Sequence, residues 1–235
     1  MKKHIPNFIT SLNLVSGFIA IILAAQGNIV AASWFIAAAM IFDFFDGFSA
    51  RLLNAYSDIG KELDSLADVV SFGVAPAVII YYFLESSVTG ALQQQPGFSF
   101  LVLIAAIMPV CAALRLAIFN LDPGQAKSFK GLPTPASAIA VITLVIAEHY
   151  SESEFLTTFL GSPVALLLLM ITLSLLMVSR LDLFSLKISS LKFKGNEGRY
   201  LMVILIIISF VAFGINAAAL IIPIYIISSL VSRWF

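Results

Sequence analysis

The sequence predicts an all-α, polytopic membrane protein with about eight transmembrane helices. Mean hydropathy is +1.04. Hydrophobic residues make up 60% of the chain and charged residues 11%, well below the charged share of about 25% in soluble domains. The apolar residues fall in runs near 20 residues, about the length that crosses a hydrocarbon core as a helix. These runs are continuous rather than alternating, which argues against a β-barrel. In hydrocarbon every backbone polar group must be satisfied internally, so helices are what remain.

The segments follow in order. The first, 8–26, comes after a basic start in MKKHIPNFITSLNLVSGFIAIILAA. This stretch superficially resembles a cleavable leader but reads as a first span. The second, 29–53, begins after QGN, and the third is 60–84. The fourth, 98–120, follows QQQPG, and the fifth, 133–150, follows LDPGQ. The sixth is 155–180; the seventh, 199–213, follows KGNEG; the eighth is 216–233. Gly, Pro and Asn at the breaks are the expected interrupters. No internal repeat is visible, and residues 1–235 read as a single membrane domain.

Charge sets the expected orientation. All thirteen Lys and Arg lie at the termini or in and beside the 2–3, 4–5 and 6–7 connections. The other connections carry Glu85, Glu148, Glu152 and Glu154 and no Lys or Arg. The positive-inside rule then places both termini in the cytoplasm. The formal net charge of zero hides this division, and no nucleic-acid partner is expected. The single cysteine, Cys111, excludes an intrachain disulfide and a thiolate metal cluster. His4 and His149 have no ligand partners at useful spacing.

The acidic stretch DFFDGFSARLLNAYSDIGKELDSLAD is the exception to this apolar chain. Asp43 and Asp46 stand at i, i+3 near the end of the second segment, on one helix face. Gly47 and Ala50 extend that stripe. Asp64 and Asp68 stand at i, i+4 near the start of the third, with Gly60 one turn earlier. The short link predicts antiparallel packing of the two segments, with small residues closing the gap. Insertion scales charge about 2.5–3.5 kcal/mol for one Asp at a helix centre, and the like charges repel. A divalent cation resolves both problems, and oxygen-only ligands favour Mg²⁺, Mn²⁺ or Ca²⁺. Four carboxylates can hold two ions about 3.5–4 Å apart, an arrangement suited to phosphoryl transfer. Asp58, in NAYSDIG, reads as a helix cap or part of a solvated loop.

The complete pattern, Asp43-x-x-Asp46-Gly47-x-x-Ala50-Arg51, eight residues, then Gly60-x-x-x-Asp64-x-x-x-Asp68, resembles the signature of the CDP-alcohol phosphotransferases at every position. The resemblance implies their membrane fold and the transfer of a phosphatidyl or related group from a CDP-linked donor to an alcohol, with release of CMP. It implies two divalent ions, Mg²⁺ or Mn²⁺, held by Asp43, Asp46, Asp64 and Asp68, with Asp68 also the general base. Gly47, Arg51 and Ser57 match positions that bind the CDP-lipid, and Asn7 in PNFIT matches one near the nucleotide. A homodimer is implied as well. The side chains agree: glycine allows close approach, and the Arg51 guanidinium offers a fork of donors to a pyrophosphate.

RLAIFNLDPGQAKSFKGLPTPAS, from Arg115 to Ser137, together with SLADVVSFGVAPA, resembles the phosphatidylserine synthase branch. CDP-diacylglycerol and L-serine are then the expected substrates, in a bacterial or archaeal cytoplasmic membrane. Serine's carboxylate needs a cation, and Arg115 is the only basic residue inside the fourth segment. Asn120 and Lys130 complete the expected serine site. Lys127 reads as an orienting charge. Ile118 stands where many relatives carry a second basic residue. Pro133 and Pro135 are expected to hold residues 132 and 134 extended. Three alternatives stay open: an acceptor such as glycerol phosphate or inositol phosphate, an ether-lipid donor, and a divalent-metal transporter. A phosphate acceptor would call for more than one convergent cation, and a transporter for broken helices or inverted repeats at the midplane.

Overall fold

A computed structural model of the chain describes residues 4–92, 100–121, 129–151, 153–184 and 196–232. Lys2, Lys3, Lys127, Lys187, Lys192, Lys194, Arg233, the QQQPG breaker and most of LDPGQ lie outside these. Five helical stretches are long and apolar enough to cross a membrane, or six if one bent pair is a single span. The chain is an integral membrane protein.

α1 (His4–Ala25) and α2 (Ile29–Leu52) form a hairpin turning at Gly27. Small buried residues, Ala20, Ala24, Ala32 and Ala39, let helices approach closely. α3 (Asp58–Asp68) runs through a π-helical segment (Val69–Val74) into α4 (Ala75–Leu92). α5 (Phe100–Ala105) and α6 (Ile107–Leu121) are one span interrupted at Ala106. Pro109 explains the interruption: it brings no N–H and crowds the carbonyl of Ala105, four residues back.

α7 (Thr134–Ser151) carries one of the most buried faces of the fold. Thr134 is already helical, so Pro135 marks a first turn, where no N–H is required, rather than an extended segment. The expected helix 155–180 is two: α8 (Glu154–Gly161) and α9 (Pro163–Val178), bent by 81°. Pro163 forces Ser162 out of the helical region, to φ −93°, ψ 111°, and the Ser162 hydroxyl then caps Ala165 N–H.

α10 (Glu197–Phe213) passes through a 3₁₀ turn (Gly214–Leu220) into α11 (Ile221–Val231). These 35 residues would extend about 52 Å as one rod, far more than a bilayer core. They fold back instead: a Cβ on Gly198, at the start of α10, would stand 3.1 Å from the Ser228 carbonyl near the end of α11. The seventh and eighth expected segments are thus an antiparallel pair.

The all-α fold is as expected, but two features of it are not. β1 (Phe129–Lys130) pairs antiparallel with β2 (Asp182–Leu183), setting Lys130 opposite Asp182. In addition, α2 and α3 barely touch among the described residues; each packs on α1 instead. The carboxylates of the two helices meet in the space between them.

Candidate active site

Asp43, Asp64 and Asp68 each offer a carboxylate oxygen, all within 4.8 Å of one another. α2 presents the first and α3 the other two, one helical turn apart. Asp68 is 7% exposed and Asp46 6%, so neither charge is relieved by water. Asp46 Oδ2 and Asp64 Oδ1 are buried and accept no hydrogen bond. A divalent cation fits this arrangement: hard oxygen donors converge, and buried acceptor atoms lack a protein donor.

Asp46 and Asp64 also line a cleft of about 420 Å³. It is bounded by the start of α1, the end of α2 and the start of α3, and Asn7, Thr10, Gly47, Arg51, Ser57 and Lys61 line it too. All four residues expected to hold the CDP-lipid, Asn7, Gly47, Arg51 and Ser57, therefore share one cavity with two of the four aspartates. Gly47 does not close onto a neighbouring helix: a Cβ there would meet nothing within 4 Å. Its smallness keeps cleft space open. Ser57, not Asp58, caps α3, accepting from Gly60 N–H at 3.1 Å. Lys61 is a second cation on this rim, and its Nζ also donates to the Asn120 carbonyl at 3.1 Å. Within the sequence it looks like one more orienting charge.

A second cleft, of about 520 Å³, is lined by Arg115, Ile118, Lys130, Met177, Val178, Ser179 and Arg180. Arg115 is 7% exposed and lies over the Phe119 ring, 5.3 Å from its centroid. It lies within electrostatic range of Asp68, although no aspartate of the cluster lines this cleft. Lys130 is held at the rim by the segment that follows it. Gly131 N–H donates to the Leu181 carbonyl and Leu132 N–H to the Leu176 carbonyl, each at 2.8 Å. Gly131 has φ +78°, and a Cβ there would stand 2.8 Å from the Ser179 carbonyl; only glycine suits both the conformation and the approach.

The second cleft differs from expectation in two ways. Asn120 is not among its lining residues; its amide donates to Ser65 Oγ at 2.8 Å and ties α6 to α3. Arg180 is a third cation beside Arg115 and Lys130. The expectation that only one cation converges here from the fourth segment therefore does not distinguish serine from a phosphorylated acceptor.

Known proteins bear on this geometry. Residues 3–180 match the family described as CDP-alcohol phosphatidyltransferase. A CDP-diacylglycerol–serine O-phosphatidyltransferase of Bacillus subtilis is 36% identical over 179 residues, covering 76% of this chain and 89% of that protein. One of the same name from Helicobacter pylori is 35% identical over 175 residues, covering 71% and 69%. An archaetidylserine synthase of Methanothermobacter thermautotrophicus is 32% identical over 181 residues, covering 76% and 68%. The matched region holds the whole aspartate motif and both clefts. With such coverage by the family and by relatives in bacteria and archaea, the chain belongs to the CDP-alcohol phosphatidyltransferases.

Proposed function

We propose that this protein transfers the phosphatidyl group of CDP-diacylglycerol to L-serine, yielding phosphatidylserine and CMP. The observation that carries this reading is a carboxylate cluster with a cationic cleft on either hand. It meets one through Asp46 and Asp64 and approaches the other where Arg115 feels the charge of Asp68. Relatives named for serine transfer select the acceptor.

Asp43, Asp46, Asp64 and Asp68 would hold two divalent ions, Mg²⁺ or Mn²⁺. Bound there, such ions neutralise the pyrophosphate and the charge on departing CMP. Arg51 and Lys61 grip the pyrophosphate, while Asn7 and Ser57 donate to the nucleotide portion. Gly47 leaves room for the ligand. In the second cleft Arg115, Lys130 and Arg180 hold the serine carboxylate, with Asn120 supporting from the α6–α3 contact. Serine's hydroxyl oxygen forms a bond to the lipid-linked phosphorus as the anhydride bond to CMP breaks. Asp68 takes the hydroxyl proton. The acyl chains stay in the bilayer. We place the site on the cytoplasmic side, because the cations of both clefts follow the positive-inside pattern, and we read the protein as a homodimer.

The test is purified protein given CDP-diacylglycerol, Mn²⁺ or Mg²⁺, and a panel of serine, glycerol phosphate and inositol phosphate, scored for CMP and lipid product. Serine-dependent release of both is expected. Product with glycerol phosphate or inositol phosphate alone would reassign the second cleft to a phosphate. A CDP-linked ether lipid run in parallel fixes the donor class, mass measurement in detergent fixes the oligomeric state, and metal flux without CMP release in liposomes would establish transport.

Arg115→Ala is expected to raise the serine KM by at least about tenfold, since hydrogen bonds to charged groups contribute roughly 1.5–3 kcal/mol. Lys130→Ala and Arg180→Ala, on the exposed side of the cleft, should have smaller effects. Competition by serine analogues lacking the carboxylate checks the assignment. Unchanged serine KM and kcat in all three variants would place the acceptor elsewhere.

A further inference from the structure

Asn13 is fully buried in α1. Its Nδ2 donates to Asp68 Oδ1 over 3.4 Å. Its own Oδ1 is buried and accepts no hydrogen bond. A half-satisfied amide inside a membrane protein is a cost to the fold. An apolar side chain of similar size would pack there without the orphaned oxygen. Stability therefore does not account for an asparagine at this position, and its one side-chain hydrogen bond goes to a residue of the acidic cluster.

The backbone around Asn13 is clamped. Ser71, fully buried in the π-helical segment, donates from Oγ to the Asn13 carbonyl at 3.1 Å. Gly17, one turn further along α1, lies so close that an added Cβ would stand 2.7 Å from the Ser71 Cα. Both contacts fix α1 against the segment that begins one residue after Asp68. A π turn shifts the helical register, and such turns are frequent at functional sites. Here the shift lets Ser71 serve α1 while Asp64 and Asp68 keep facing Asp43. The donor is also neutral. A lysine or arginine at this position would cancel the charge that a cation site needs, whereas an amide holds one carboxylate oxygen and leaves the charge in place.

We propose that Asn13 is a positioning residue. Its amide, fixed through the contacts of Asn13 and Gly17 with Ser71, holds the Asp68 carboxylate in the rotamer that meets the acceptor hydroxyl. This rests on the reading of Asp68 as proton acceptor in serine transfer, which the wild-type reaction with serine and the Asp68→Asn variant test separately.

The experiment compares wild type with Asn13→Leu and Asn13→Val, as full chains in nanodiscs. Both remove the donor, and neither adds a charge. Three quantities are read: kcat and KM for each substrate, Mn²⁺ affinity by electron paramagnetic resonance, and melting temperature. In both variants kcat should fall about 10–100-fold, the usual effect of losing an outer-shell partner. KM for both substrates and Mn²⁺ affinity in Asn13→Leu should hold, and its melting temperature should not drop. Wild-type kcat in either variant overturns the proposal. So does restoration of the rate by excess Mn²⁺, which would make Asn13 a support for metal binding only. Failure of both variants to fold assigns Asn13 to the fold and overturns it equally. If wild type itself leaves serine unreacted, the functional reading fails rather than the placement of Asn13.

Discussion

Asp43→Ala and Asp64→Ala are expected to lose at least about 10²–10³-fold in kcat, the scale on which single electrostatic stabilisers act, and to lose most of their Mn²⁺ affinity. Each substitution removes one of three oxygens that lie within 4.8 Å of one another, which leaves too few carboxylates for the proposed pair of ions. Asp46→Ala should behave similarly, since Asp46 is buried and borders the first cleft beside Asp64. Stability gives a second readout with a distinctive sign. Without metal, Asp64→Ala should melt at or above the wild-type temperature, because a buried like charge has been removed. With metal the order should reverse. A ligand at 100 times its Kd stabilises the folded state by about 2.7 kcal/mol, and only wild type can gain it. Thermal shift with and without Mn²⁺, run beside turnover, reads both. Wild-type turnover in either variant, or an equal Mn²⁺ shift in Asp64→Ala, would sink the metal assignment.

The part of this site that is legible in the sequence is the part with a helical period. Asp43 and Asp46 at i, i+3, and Asp64 and Asp68 at i, i+4, announce two acidic faces; Asp43, Asp64 and Asp68 come together, while Asp46 borders the first cleft beside Asp64. Asn7, far away in the chain, joins Gly47, Arg51 and Ser57 in one cleft only because α1 packs on both α2 and α3. Resemblance pointed to Asn7 where periodicity could not. What was missed has no local signature. Lys61 and Arg180 each look like charges that orient a span, and nothing in their neighbours reveals a cleft. Asn13 did leave a trace, as a lone amide in an apolar run, but its partner is 55 residues away. The π-helical segment has no composition cue either. It follows from packing, where Ser71 meets α1 and a Cβ on Gly73 would meet the Ala112 Cβ of α6 at 2.9 Å. The bend before α9 was readable: Gly161-Ser162-Pro163 carries a glycine, a capping serine and a proline in sequence, and the continuous apolar run concealed it.

Asp68→Asn should cut kcat by about 10²–10⁴-fold, the usual contribution of a positioned general base, while binding of CDP-diacylglycerol is mostly retained. Serine's hydroxyl is a weak nucleophile at neutral pH, so the proton must leave as the oxygen attacks phosphorus. Three features support the proposed assignment of that task to Asp68. Its oxygen is within 4.8 Å of those of Asp43 and Asp64, so an acceptor hydroxyl near the cluster is near Asp68. Arg115, which lines the second cleft, lies within electrostatic range of it, and in the proposed reaction a serine whose carboxylate rests on Arg115 turns its hydroxyl toward Asp68. It is also buried, and a buried base loses little to competing water. Asparagine preserves the shape and one acceptor oxygen but removes the basic charge. Because Asp68 is also a metal-ligand candidate, rate and donor affinity must be compared at saturating Mn²⁺. Under that condition a lost ligand is compensated and a lost base is not. A persistent fall in kcat at unchanged donor affinity identifies the base. If saturating Mn²⁺ restores the rate, Asp68 acts through the metal alone, and another group must take the proton of the attacking hydroxyl.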